Sequence, residues 1–312
     1  MNCRMFAALS LVAISAPVIA ADNDPPFTIA ETGQRFSRLD SALAAIGDRQ
    51  GTILIASGKY RQCAVQTAGV ITFRAAERGG AIFDGAVCEG KAALVLRGRG
   101  ANIDGLVFQN LRVPDGNGAG IRLERGSLNV SYSLFRDSEE GILTGNDLQA
   151  GISIDKSTFQ HLGRCDRDLD CAHSIYVGQY GKLSVTNSRF EMGDGGHYVK
   201  SRAAIVDIRG NSFDDSRGHL TNYMIDLPNG SGGIISGNVM VQGRDKDNWT
   251  AFITIAPEGR VRDSSGLAIT GNSASFVPGL TRNSTFVASW TDDPVQIGPN
   301  QLAEGIRRTD RR

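Results

Sequence analysis

Three short segments hold most of the residues able to move protons or carry charge in one place. They read His173-Ser174-Ile175-Tyr176, His197-Tyr198-Val199-Lys200-Ser201-Arg202 and Tyr223-Met224-Ile225-Asp226-Leu227-Pro228-Asn229. Two of the chain's 4 histidines and half of its 6 tyrosines fall in them. Each segment centres on an aliphatic residue flanked by polar ones, the alternation of a strand with one face in a core and one face outside.

This set suits chemistry on an acidic sugar polymer. β-Elimination from a uronate needs a cation to neutralise the carboxylate, a base to take the α-proton and an acid to protonate the departing oxygen. Arg202 is the natural carboxylate clamp, because its guanidinium is permanently charged and makes two parallel bonds. Lys200 or His197 could be the base, and Tyr176 or Tyr198 could donate to the leaving oxygen. Hydrolysis needs two carboxyl groups at a set separation. Asp226 is one candidate; Asp155, Asp194, Glu140 and Glu124 are possible partners that no spacing sets beside it. His173, Tyr223, Asn229, Arg122 and Arg217 complete the expected substrate-binding set.

A repeat must position these residues. An aliphatic residue, a small or polar one three later and an apolar one five later recur as Ile103–Leu106–Phe108, Val130–Ser133–Phe135, Ile154–Ser157–Phe159, Val185–Ser188–Phe190 and Ile208–Asn211–Phe213. Ile235–Asn238–Met240 and Ile269–Asn272–Ala274 continue the series. Successive copies lie roughly 23–34 residues apart, which is the scale of a solenoid rung with variable insertions. β-Branched residues, glycines and Asn-Ser turns dominate every copy, so the expected fold is all-β: a single-stranded right-handed parallel β-helix. A second strand follows each phrase, with inward residues Ile121, Ile142, Ile175, Val199, Ile225 and Ile253. Alternation then places Arg122, Leu143, Tyr176, Lys200, Asp226 and Thr254 in one outward row, with Tyr198 in the row beside it.

A solenoid needs caps on its end rungs. Residues 38–46 form a candidate capping helix, with Leu39, Leu43 and Ile46 on one face. Residues 1–20 have the plan of an export signal: Arg4, an apolar run from Met5 to Ile14, and a cleavage point near Ala20-Ala21. The expected divisions are a signal at 1–20, a cap and first strand at 21–60, the β-helix at 61–300 and a basic, solvated tail at 301–312. A secreted or periplasmic location follows, and the 5 cysteines agree, since 4 remain after the signal. Cys165 and Cys171 bracket a loop whose Asp166, Asp168 and Asp170 could offer oxygens to Ca²⁺, although no cofactor is required. With 33 basic and 33 acidic residues, nothing global points to nucleic acid. No run past the signal is long enough to span a membrane, and a monomer is expected.

The opening, a short helix and then a strand ending in Gly58-Lys59-Tyr60, resembles the start of the pectate-lyase-like β-helix superfamily. On that reading Cys63 and Cys88 lie one rung apart, and a disulfide would tie neighbouring coils. From Lys200 onward, Val-Lys-Ser-Arg-Ala, Arg-Gly-Asn-Ser-Phe and Asp-Ser-Arg-Gly resemble the catalytic rungs of the chondroitinase B and alginate lyase family. The resemblance implies Lys200 as base and places Arg217 in the intervening turn. It departs at Ile225-Asp226-Leu227, where that family carries an arginine, so Arg202 must substitute. A closer likeness is to secreted bacterial β-helix repeat proteins with His-x-x-Lys-Ser-Arg-Ala and Ile-Asp-Leu-Pro-Asn-Gly segments. That likeness bears on the fold and the site and not on a reaction; the residue set and the lyase-family resemblance make a polysaccharide lyase the expected activity. A glycoside hydrolase, a C5-epimerase or a non-catalytic glycan-binding or structural β-helix are the alternatives.

Overall fold

Each recurrent phrase folds into two strands joined by a tight bend, opened by one residue that breaks the extended run. That residue lies in the left-handed region of backbone space: Gly105, Tyr132, Lys156, Asn187, Gly210, Gly237 and Gly271 take the place in turn. Glycine adopts it freely, while Tyr132 and Lys156 carry a steric penalty of roughly 1–2 kcal/mol each. The next residue is the serine or asparagine of the phrase. Its side chain receives the backbone N–H of the rung before: Ser157 from Ser133, Ser188 from Ser157, Asn211 from Ser188, Asn238 from Asn211 and Asn272 from Asn238, at 2.9–3.2 Å. Among the asparagines the side-chain amide of one also donates to the carbonyl oxygen of the next. These buried polar groups are thus satisfied by their own copies.

The computed structural model describes residues 24–312, and the expected signal at 1–20 lies outside the described residues. The chain winds into a right-handed parallel β-helix of about nine turns. Its rungs stack into three sheets of 12, 10 and 10 strands. Inside, the closing position of the phrase builds an aromatic column. Phe83, Phe108, Phe135, Phe159, Phe190 and Phe213 stack with centroids 4.8–5.6 Å apart, close to the strand spacing of a sheet. Met240 and Ala274 continue it in register. Each buried phenylalanine contributes roughly 1.5–3 kcal/mol relative to exposure, so the column fixes the register of the coil.

The N-terminal end is closed more fully than expected. The helix Leu39–Ile46 forms and buries Leu39, Leu43 and Ile46. An antiparallel hairpin also precedes it: Phe27–Ile29 pairs with Arg35–Phe36 on one side and with Gln50–Ile55 on the other. The first sheet therefore begins on an antiparallel strand, so its first parallel rung is not an open edge. At the other end the basic tail is exposed yet takes up strand structure. Gln301–Leu302 and Ile306–Arg311 pair in parallel with the rung before them and complete a last coil. Disulfides join Cys63 to Cys88 and Cys165 to Cys171. No helix among the described residues is long and apolar enough to cross a membrane.

Candidate functional site

The third sheet carries the outward row in the expected register. Arg122 pairs with Leu143, Leu143 with Tyr176, Tyr176 with Lys200, Lys200 with Asp226 and Asp226 with Thr254. Behind it, Ile121, Ile142, Ile175, Val199, Ile225 and Ile253 point into the core. The strands Ile175–Val177, Val199–Ser201 and Ile225–Leu227 are short, so the residues just beyond their ends sit close to the row and complete the site.

A charged cluster forms at its centre. The Lys200 ammonium lies 2.7 Å from Glu258 Oε1 and 3.8 Å from Asp226 Oδ2. Arg202 splits its donors three ways: Nε to the Tyr176 hydroxyl at 3.1 Å, one terminal nitrogen to Asn229 Oδ1, the other to Glu258 Oε2. The Lys200 ammonium stands 5.4 Å from the centre of the Tyr176 ring. Asp226 is buried and receives the Thr254 hydroxyl at 2.7 Å. Burial pushes its carboxyl up to about 6, against the pull of that hydrogen bond and of Lys200. Glu258 goes the other way. Burial raises its carboxyl, but the hydrogen bonds from Lys200 and Arg202 outweigh it and hold it below the usual range.

Two imidazoles line the entrance to these strands. His173 Nδ1 accepts the backbone N–H of His197 at 3.0 Å, and the two rings stand 4.9 Å apart. Burial, with the positive charge of Lys200 behind it, drops His173 to about 3. Burial, then His173 and Lys200, holds His197 well below its ordinary value. Both imidazoles are therefore neutral near pH 7. His197 Nε2 lies 3.7 Å from Asp226 Oδ2, and the Tyr223 ring packs tilted against His197 with ring centres 5.7 Å apart. The Tyr223 hydroxyl accepts from Asn248 at 2.6 Å.

The cluster thus unites Tyr176, His197, Lys200, Arg202 and Asp226 with His173, Tyr223 and Asn229. Three expectations fall elsewhere. Tyr198 is not a surface residue: it is 1% exposed, packs on Phe190 and Phe213, and donates its hydroxyl to the buried Asp215 at 2.7 Å. Strand alternation does not reach it, because Gly195 and Gly196 just before it both have positive φ and turn the backbone. Arg217 is exposed on the loop after Ser212–Asp214 and touches none of the cluster. Arg122 keeps its place in the row, three rungs from Lys200 and outside the cluster, with a buried Nε that has no partner.

None of the carboxylates proposed as partners of Asp226 stands beside it. Glu124 binds Lys91 and Arg97, Asp155 binds Thr186 and Asn187, and Asp194 faces His161. Glu140 is buried and raised by that burial, with Oε2 unpartnered. The acid that does join the cluster, Glu258, lies outside the recurring segments. It lies three residues past the strand Ala251–Ile255, whereas Asn229 lies two and Arg202 one past theirs, so the repeat does not place it in their row. In the Cys165–Cys171 loop, Asp166 pairs with Arg164 and Arg167, and no group of three His, Cys, Asp or Glu among the described residues is placed to hold a metal ion.

Fold and cluster together define a parallel β-helix with a charged cluster on one outer sheet. No protein-family profile matches the chain, and no curated protein sequence matches it. Solved structures do. A protein of Geobacillus virus E2, ORF18, superposes with a TM-score of 0.57 at 12% identity over 87% of this chain, which spans 56% of that one. A pectin methylesterase from Aspergillus niger gives 0.53 at 11% identity, covering 95% of this chain and 91% of its own. An alginate lyase from a Paenibacillus species gives 0.53 at 16% identity, covering 87% and 94%. At such identities these likenesses establish the fold alone.

Proposed function

We propose that the charged cluster binds an acidic polysaccharide and cleaves it by β-elimination, outside the cytoplasm. The observation that carries this reading is the pairing of Lys200 and Arg202 on one carboxylate, that of Glu258. Two cations that already share a carboxylate across one rung are placed to hold a uronate group and make its α-proton acidic. An amine flanked by two carboxylates serves best as a cation, which leaves the base to another group. His197 is neutral, partly open and beside Lys200, and we assign it the proton abstraction. Tyr176, whose hydroxyl accepts from Arg202, belongs to the same cluster and is assigned as the donor to the leaving oxygen. The two disulfides fit an oxidising compartment. Two of the structural neighbours bear the names of enzymes acting on uronate polymers, pectin methylesterase and alginate lyase, which is consistent with this substrate class.

The test is absorbance near 232 nm, which reports the unsaturated uronate, with purified protein and a panel of uronate polymers. A rise that both Lys200→Ala and His197→Ala abolish supports the reading. No rise on any polymer sinks it. One observation favours a second reading: Asp226 pushed toward protonation next to an ionised Glu258 is the acid and carboxylate pair that glycoside hydrolysis uses. New reducing ends without absorbance at 232 nm would select it.

A further inference from the structure

Glu258 does more in this cluster than balance charge. Its two oxygens are divided between two cations, one to Lys200 and one to Arg202, which is the geometry a bound uronate would have to adopt. Its side chain is also the outermost of the three. It is 42% exposed, while Lys200 and Arg202 are 13% and 21% exposed. The carboxylate therefore covers the cations from the solvent side.

We infer that Glu258 is an internal stand-in for substrate, filling the Lys200–Arg202 clamp at rest and leaving only when a ligand brings a carboxylate of its own. The inference rests on the reading of Lys200 and Arg202 as a carboxylate clamp. Four features support it. The backbone around Glu258 is held without help from its side chain: the N–H of Ala256 bonds to Leu227 O at 2.8 Å, that of Glu258 to Pro228 O at 3.0 Å, and those of Val261 and Arg262 to Asn229 O. Rotation about side-chain bonds thus opens the clamp while the connection stays in place. Next, an ion pair on the water side is weakly held and screened by salt, so a well-placed competitor can displace it. Arg202 keeps Tyr176 and Asn229 when Glu258 leaves, so the clamp stays aimed. Lastly, Asp226 cannot leave with it, being buried and tied to Thr254.

The consequence is selectivity. A neutral sugar cannot replace the two bonds that Glu258 gives up, and the cations would be left uncompensated. A uronate replaces both. Glu258 is then a specificity-determining residue that weakens every carboxylate ligand of the clamp by the fraction of time it occupies it.

The experiment compares wild type, Glu258→Gln, Glu258→Ala and Asp263→Asn. Asp263 is an exposed acid on the same connection, so its change alters net charge as much as Glu258→Gln does without touching the clamp. Sodium glucuronate is titrated into each at low ionic strength and followed by NMR shifts, with glucose as the neutral comparison. Both Glu258 variants should bind glucuronate at least about tenfold more tightly than wild type. Asp263→Asn should stay within about twofold, and glucose should show no difference. Glu258 variants that bind glucuronate no better than wild type, or not at all, overturn the inference, as does an equal gain in Asp263→Asn. None of these readouts uses turnover, so they stand apart from the absorbance test of the lyase reading. If Glu258→Gln abolishes turnover while glucuronate affinity is unchanged, Glu258 is a catalytic group and the hydrolytic reading takes over.

Discussion

Lys200 and Asp226 stand directly opposite each other on neighbouring strands of the third sheet, with Nζ 3.8 Å from Oδ2. The carboxylate reaches this position from within the wall of the coil. It is buried, and its only hydrogen bond among the described residues comes from Thr254. An acid so placed is sensitive to pH in a range where proteins work.

The first prediction concerns that acid. Its folded value of about 6 lies above the 3.8 of an ordinary aspartate. A raised carboxyl favours the fold fully below the lower value, and that contribution is lost as pH climbs through the upper one. The loss amounts to about 3 kcal/mol for the isolated group. Wild type should therefore lose stability between pH 4 and pH 7 relative to Asp226→Asn, measured by urea unfolding at each pH. Parallel curves for the two proteins would show that Asp226 is ionised throughout.

Catalysis should follow the same titration. If ionised Asp226 orients His197 and Lys200, turnover rises with an apparent midpoint near 6. That limb should vanish from the pH profile of Asp226→Asn, with residual rates lowered at all pH values.

Arg202→Lys should not be conservative. A lysine cannot serve Tyr176, Asn229 and Glu258 at once, as the forked guanidinium does. The expected loss is roughly 10²-fold in kcat/KM on the polymer that proves to be substrate, with the unfolding midpoint little changed. A loss of less than threefold would remove Arg202 from the clamp.

Tyr198 separates structural from catalytic tyrosines. Its hydroxyl meets Asp215, whose other oxygen meets Lys246 at 2.9 Å, and all three are buried. Tyr198→Phe should cost about 1 kcal/mol of stability and leave kcat within twofold. Lys246→Met, which strands the Asp215 charge, should cost about 3–5 kcal/mol. Tyr176→Phe should do the reverse of Tyr198→Phe, keeping stability and losing turnover.

The asparagine column offers a test of the coil itself. Asn238 accepts from Asn211 and donates to Asn272 and to Ile208 O. Asn238→Ala leaves buried donors and acceptors without partners and should cost about 2–3 kcal/mol. Asn238→Ser should cost less, because serine fills the same place at Ser133, Ser157 and Ser188. Thermal unfolding of the two variants would rank them.

Most of the coil was legible in the residues. Phenylalanine, serine and asparagine recur because each stacks on its own copy, so one phrase reports both the bend and the register. The outward row from Arg122 to Thr254 followed from alternation, since those residues sit inside regular strands where successive side chains must face opposite ways. Tyr198 shows where that rule stops. It stands one residue before the strand Val199–Ser201, after two glycines with positive φ, and its ring turns inward to pack against Phe190 and Phe213.

The sequence by itself thus determined the solenoid, its inward column and the row that bears Tyr176, Lys200 and Asp226, because stacking ties each of these to a local period. Only the tertiary structure decided who keeps them company. Glu258 comes from a connection whose length the repeat does not set, and His197 reaches Asp226 through a turn that breaks alternation. A side chain's neighbours across rungs depend on how each connection folds back over the sheet, and that path is chosen by hydrogen bonds between connections, which leave no period in the chain.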